Sequence, residues 1–164
     1  MTDAPGTTRG FTLIELLVTL AVAAILLTVA VPNYQIFMMN SRMASQANEV
    51  VGALSLARSE AVKRGAQVSV CASSNGSSCT GGWAQGLIVR DASGVIRVQP
   101  ALTGGSTLSA AGAVTTIVYT PNGRTTLAAA TTLTLCPPAP AKVKGRAIQV
   151  ELTGRPYVAD AVCP

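Results

Sequence analysis

Between Phe11 and Val31 the sequence FTLIELLVTLAVAAILLTVAV runs for 21 residues with one charged side chain, Glu15. Wound as a helix at 1.5 Å per residue, such a run is about 30 Å long, the thickness of the hydrocarbon core of a bilayer. A carboxylate in that setting costs roughly 2.5–3.5 kcal/mol at a helix centre and less near an end. The run therefore predicts a membrane-crossing helix and raises two questions. Something must compensate Glu15, and the pair Arg9-Gly10 stands immediately before the apolar stretch.

Beyond residue 31 the composition changes to Thr, Ser, Gly, Ala and Val with scattered turn residues. Aromatic residues make up only 4% of the chain, so a core here must be thin and built on Val, Leu, Ile and Ala. At 164 residues there is room for an anchor and one small domain. The four cysteines fit disulfides in an oxidising compartment. The competing reading, a zinc site, needs all four thiolates because the chain has no histidine, and neither Cys71/Cys79 nor Cys136/Cys163 forms a short C-x-x-C knuckle. Four cysteines allow three connectivities, among which sequence does not choose. The pairing Cys71–Cys79 with Cys136–Cys163, in which each bridge closes its own loop, is the one expected.

Three readings compete for residues 1–34. A cleaved secretory signal accommodates Arg9 and a small-residue site at Thr28-Val29-Ala30, but has no use for Glu15. A plain single-span anchor leaves Glu15 equally unexplained. The third reading takes both oddities together. Gly10-Phe11-Thr12-Leu13-Ile14-Glu15-Leu16 resembles the prepilin processing motif of type IV pilins and type II secretion pseudopilins. The resemblance implies a hydrophilic leader (residues 1–10) removed after Gly10 by a prepilin peptidase, with methylation of the new N-terminal Phe11. It also implies that Glu15, fifth in the mature chain, meets the N-terminal amine of a neighbouring subunit. A carboxylate and an ammonium buried together offset the desolvation that each suffers alone. The leader departs from the usual pattern in carrying Asp3 and only one basic side chain, Arg9, so its positive-inside signal is weak.

Pro32, with Asn33, is expected to kink or loosen the helix after its membrane part, residues 11–32. The helical pattern resumes over residues 33–65, where Ala47, Val50, Val51, Leu54, Ala57 and Ala61 form one apolar stripe. Arg42, Gln46, Glu49 and Arg58 fall off that stripe, Glu49 and Glu60 read as solvated, Glu60 and Arg64 are spaced for an ion pair, and Gly65 is a C-cap candidate. Residues 66–164 read as a β-rich head. Strands are expected at 68–72, 87–90, 95–98, 114–120, 131–135, 147–152 and 157–158, with a hairpin turn at Asp91-Ala-Ser-Gly94, another turn at Pro121-Asn-Gly123 and an exposed loop at Pro137-Pro-Ala-Pro140.

The order Cys71…Cys79…Trp83…Gly86, the Asp-x-x-Gly hairpin, Pro121-Asn-Gly-Arg124, Thr132-Leu-Thr-Leu-Cys136 and Gly154-Arg155 is similar to the GspH/FimT group of minor pilins. That resemblance implies an α+β pilin fold: a long N-terminal helix packed against a head of two small antiparallel sheets. Trp83 reads as a core or loop-packing residue. Without histidine no Ser-His or Cys-His nucleophile pair can be built, and no paired carboxylates stand out, so the chain reads as structural or binding, not as an enzyme, with no cofactor and no metal.

The function the resemblance implies is that of a minor pilin near the tip of a type IV pilus, priming its assembly. Its partners are the prepilin peptidase, other minor and major pilins and the inner membrane. The head faces the periplasm before assembly and the cell surface afterwards. A retained Glu15 implies docking beneath another subunit. Two alternatives stay open. One is a type II secretion pseudopilin. The other is DNA capture for natural transformation, for which the group's signature is a C-terminal Gly-Arg-x-Arg. Here the stretch is Gly154-Arg155-Pro156-Tyr157, lacking the second arginine, while Arg124, Lys142, Lys144, Arg146 and Arg155 are candidate phosphate contacts and Tyr157 a candidate base-stacking residue. Solvated loop charges and an edge tyrosine are the plainer reading of the same residues.

Overall fold

A computed structural model of the protein describes residues 10–140 and 143–163. Residues 1–9, which fall in the expected leader, and Lys142 lie outside the described residues. Among the described residues one α-helix is followed by eight strands, with short 3-10 turns at Trp83–Gln85 and Ala111–Ala113. The chain divides into two compact units, Met1–Phe37 and Met38–Pro164.

Helix α1 spans Leu13–Arg64, 52 residues with Pro32 inside it. Proline removes one backbone donor from the ladder. One turn of side-chain chemistry lies beside it: the Asn33 amide donates to the Val29 carbonyl at 3.0 Å. Thr28 and Thr19 likewise return their hydroxyls to the carbonyls of Ile25 and Leu16, so these polar side chains are satisfied within an apolar helix. The helix stops at Gly65, whose φ of +61° is the left-handed conformation a C-terminal cap demands.

In its second half the helix buries one face. Met43, Ala47, Val50, Ala53, Leu54, Ala57 and Ala61 are all essentially inaccessible. Four of these seven are alanine, so the backbone of the head can approach the helix closely. The stripe differs from expectation in two places. Val51 is only half-buried, while Gln46, expected off the stripe, is buried and donates from Nε2 to the Thr103 carbonyl at 3.0 Å. Its polarity hid it; the distant Thr103 carbonyl satisfies its amide N–H, while its Oε1 is buried without a partner among the described residues.

The head holds two four-stranded antiparallel sheets. The first is ordered β3-β2-β1-β5, from Val68–Ala72 (β1), Leu87–Arg90 (β2), Val95–Gln99 (β3) and Thr116–Tyr119 (β5). The second is ordered β4-β6-β7-β8, from Thr107–Ala110 (β4), Thr131–Cys136 (β6), Gly145–Val150 (β7) and Pro156–Ala161 (β8). Alternation sets the registers. Val70 stands opposite Val89 and Ile117 in the first sheet, and Leu133 opposite Ile148 in the second. All five are fully buried, and at about 1.5–3 kcal/mol per buried aliphatic side chain such rows dominate the stability of so small a head.

Several boundaries move from the sequence reading. Strand β4 was not expected, Val114 and Thr115 precede β5 instead of joining it, and β8 continues to Ala161. The 137–140 segment has no regular structure, but Pro137 is buried and only Ala139 and Pro140 are exposed. The Asp91–Gly94 turn closes the β2–β3 hairpin: Asp91 Oδ1 accepts the backbone N–H groups of Ser93 at 2.7 Å and Gly94 at 3.0 Å, an Asx-type turn.

Candidate functional site

Two regions carry the side chains singled out by sequence. The first is the start of α1. Thr12 Oγ1 accepts the Glu15 backbone N–H at 3.3 Å, and the Thr12 carbonyl accepts the Leu16 N–H at 3.1 Å. Thr12 is thus the N-cap, and Glu15 falls in the first turn, where the helix dipole favours a negative charge. Among the described residues no side chain bonds to the Glu15 carboxylate. Gly10 and Phe11 precede the helix, and Phe11 is 82% exposed. Every residue from 10 to 35 is exposed, and α1 is long and apolar enough to cross a membrane.

The second region is the head with its cysteines and cations. Cys71 is bonded to Cys79, with Cα atoms 5.5 Å apart, and Cys136 to Cys163, at 5.8 Å. The first bridge ends the 73–82 loop, whose interior is organised by Ser73 and Asn75. Ser73 Oγ donates to the Ser78 carbonyl at 2.7 Å, and Asn75 Oδ1 accepts the N–H groups of Ser77 and Ser78, both at 3.0 Å. Trp83 is buried and donates its indole N–H to the Val114 carbonyl at 2.7 Å, which pins the loop to the segment before β5. Gly86 is required at the next corner: its φ is +126°, and a Cβ there would sit 2.8 Å from the carbonyls of Ser73 and Gln99.

A charged cluster ties the end of α1 to the β2–β3 turn. Arg64 bonds Glu60 at 2.6 Å and Asp91 at 2.7 Å, and Lys63 approaches Glu60 at 3.9 Å. Glu60 is therefore ion-paired, not simply solvated. The hydrogen bond from Arg64 holds the Glu60 carboxyl below its ordinary value. At Asp91 burial pushes upward, but the Ser93 and Gly94 N–H groups and the Arg64 charge outweigh it, so its carboxyl is also held low. Glu49, also on α1, accepts the Gln99 amide at 2.7 Å.

The candidate phosphate contacts do not gather at one place. Lys144 pairs with Asp160 at 3.3 Å, and Arg146 pairs with the same carboxylate. The Tyr157 hydroxyl is engaged by Gln149. Arg124 and Arg155 are different. Both are exposed, and neither has an ion pair among the described residues. They end two turns that lie back to back: the Thr125 N–H donates to the Leu152 carbonyl at 3.1 Å, and Gly154, at φ +80°, lies against Gly123. Arg58, which the sequence placed merely off the apolar stripe, joins this corner by donating Nε to the Gly123 carbonyl at 3.0 Å. Below it Tyr119 is fully buried, its hydroxyl has no partner among the described residues, and burial pushes its pKa up to about 12. Neither Arg58 nor Tyr119 carried a functional signal in the sequence; the pairing of β1 with β5 and the folding of the 121–124 turn onto α1 bring them together.

Residues 46–154 match the family model described as type II transport protein GspH, and residues 7–31 match the prokaryotic N-terminal methylation motif. The chain belongs to the GspH family, in the type IV pilin and pseudopilin class. Two crystal structures of the type IV minor pilin FimU from Pseudomonas aeruginosa are similar to it. One is 26% identical with a TM-score of 0.58, over 71% of this chain and 91% of the FimU chain. The other is 25% identical with a TM-score of 0.62, over 75% and 92%. No curated protein matches the chain. The GspH family consists of structural subunits, and a pilin-like helix with an apolar first half is consistent with anchoring in the inner membrane before assembly.

Proposed function

We propose that the chain is a minor pilin of a type IV pilus that primes assembly at or near the tip and docks beneath another minor pilin through Glu15. The observation that carries this reading is the Glu15 carboxylate itself. It projects from the exposed, apolar and otherwise uncharged first half of α1, with its own backbone already capped by Thr12. Left alone in lipid it is a liability; opposite the amine of a neighbouring Phe11-type terminus it becomes a register device. The domain plan follows: residues 1–10 are a leader cut by prepilin peptidase after Gly10, 11–32 cross the inner membrane, 33–65 support the head, and 66–164 form it in the periplasm. Pro32 is the place where the helix bends as subunits pack. The similarity to a minor pilin of a type IV pilus supports a pilus over a secretion pseudopilus.

The test is incorporation. Glu15→Ala should leave membrane insertion and processing intact and remove the subunit from sheared fibres, with fewer pili per cell. Gly10→Val should instead block leader removal. An unchanged amount of the Glu15→Ala subunit in fibres would refute docking through Glu15. Loss of secretion with normal piliation on deletion would favour the pseudopilin.

A further inference from the structure

We propose that the groove between the last turns of α1 and the Pro121–Arg124 turn receives a carboxylate-bearing loop from the head of a neighbouring pilin. This rests on the minor-pilin reading above and adds a second contact, remote in sequence from Glu15. The groove has a volume of about 490 Å³, and Arg58, Ser59, Val62, Lys63, Gly123 and Pro156 are among its lining residues. The close approach of the turn to the helix depends on Gly123. A Cβ there would meet Arg58 Nε at 3.2 Å and Val62 Cγ2 at 3.3 Å, and the φ of +75° already selects glycine.

The groove combines an apolar floor with a cationic rim. Val62 is 54% exposed although it belongs to the helix that carries the core, and Pro156 lies across from it. Arg58 is held in one orientation by its Nε bond to the Gly123 carbonyl, which leaves the rest of its guanidinium fork without a partner among the described residues. Lys63 has a side chain 78% exposed. Arg124 and Arg155 are the chain neighbours of the lining residues Gly123 and Pro156.

The protein's own carboxylates are engaged elsewhere. Glu60 serves Arg64 at 2.6 Å and reaches Lys63 only at 3.9 Å. Asp91 also serves Arg64, and Asp160 serves Lys144 and Arg146. Glu151 accepts the Thr153 hydroxyl at 3.1 Å and makes no ion pair among the described residues. Arg58 and Lys63 thus line an open groove, Lys63 with only its 3.9 Å approach to Glu60, and Arg124 and Arg155, without ion pairs among the described residues, each stand one residue from its lining. A planar guanidinium pre-oriented beside exposed apolar surface suits a carboxylate on a loop that also brings an apolar contact. A nucleic-acid backbone would satisfy the cations but leave Val62 and Pro156 uncovered, so a protein loop is the better fit.

The experiment places a photo-crosslinking residue at Ser59 in the full-length chain, in piliated cells, with the same residue at Leu20 as a second probe. The Ser59 probe is expected to give an adduct with another pilin, mapping to a segment that contains Asp or Glu. Lys63→Glu with Arg124→Glu should cut that adduct about tenfold, while an unchanged melting temperature shows that the head still folds. Replacing the mapped carboxylate by lysine should restore it. An adduct indifferent to both charge reversals overturns the proposal, as does one that nuclease removes, which would make nucleic acid the occupant. Leu20 adducts without any from Ser59 refute the groove and spare the minor-pilin reading; silence from both probes refutes that reading too.

Discussion

The exposed N-terminal stretch up to residue 35, helical from Leu13, and the stretch from Met43 to Ala61 share one helix but are stabilised by opposite means. In the first every residue is exposed, including Phe11, Leu13, Ile25 and Leu26. In the second an alanine-rich face is sealed, with Ala53, Leu54, Ala57 and Ala61 wholly inaccessible. The difference teaches that burial within the chain accounts for only part of this sequence's hydrophobicity. The rest needs lipid or other subunits as its solvent, and a helix without its own core is the kind of element that can be passed from a membrane to a fibre.

That contrast can be broken directly. In the full chain in detergent, Leu54→Ala should destabilise the head by about 2–5 kcal/mol in urea unfolding, because it leaves a cavity in a packed interior. Leu20→Ala should change the same transition by less than about 0.5 kcal/mol. Equal effects would mean that the two halves are not energetically separate.

The disulfides sharpen the comparison within the head. Their loops span 27 and 8 residues. Loop-closure entropy alone gives about 3.5 kcal/mol for Cys136–Cys163 and about 2.5 kcal/mol for Cys71–Cys79. Replacing each pair by serine should reproduce that order in thermal melts; the reverse order would show that the short bridge acts mainly by organising the 73–82 loop. A smaller effect is expected for Gly123→Ala. Its positive φ should cost about 1–2 kcal/mol, and the added Cβ should weaken the Arg58 contact, read as a lowered melting midpoint.

The smallest effect is electrostatic. Glu60 and Asp91 have carboxyls held below their ordinary values of 4.5 and 3.8. Their contribution is therefore fully present above those values and is lost as pH falls through the lower folded ones. Arg64→Ala should flatten the acid side of the stability–pH curve below about pH 4.5 while leaving its neutral side nearly unchanged. A curve shape identical to that of the parent protein would show that the cluster is too solvent-screened to matter.

Much of the fold was legible because its signals are local. The length of the apolar run, the Asp91–Gly94 turn and the alternation in Leu133, Leu135 and Ile148 each need only a few neighbouring residues. Strand β4 escaped because Thr107-Leu-Ser-Ala110 contributes one buried residue, Leu108, and becomes a strand only by pairing with β6. Gln46 escaped for the opposite reason, a polar side chain whose burial is licensed by a carbonyl 57 positions away. At the candidate site the assembly motif was readable as a contiguous word, whereas the grouping of Arg58 with Arg124 and Arg155 was not. Nothing in their spacing brings two turns back to back under a helix. The separation of Lys144 and Arg146 from that group has the same origin, since Asp160 reaches them across the β7–β8 pairing.

The Cys136–Cys163 bridge has a mechanical side as well. It joins the end of β6 to the residues just after β8, enclosing β7 and β8 of that sheet. When a fibre is under tension and a load is applied to the head, residues 137–162 cannot lengthen the tether, which withholds about 90 Å of contour at roughly 3.3–3.6 Å per residue. A pull on the head can therefore draw out only residues that lie outside the two bridges, and the β7–β8 part of a loaded subunit stays short.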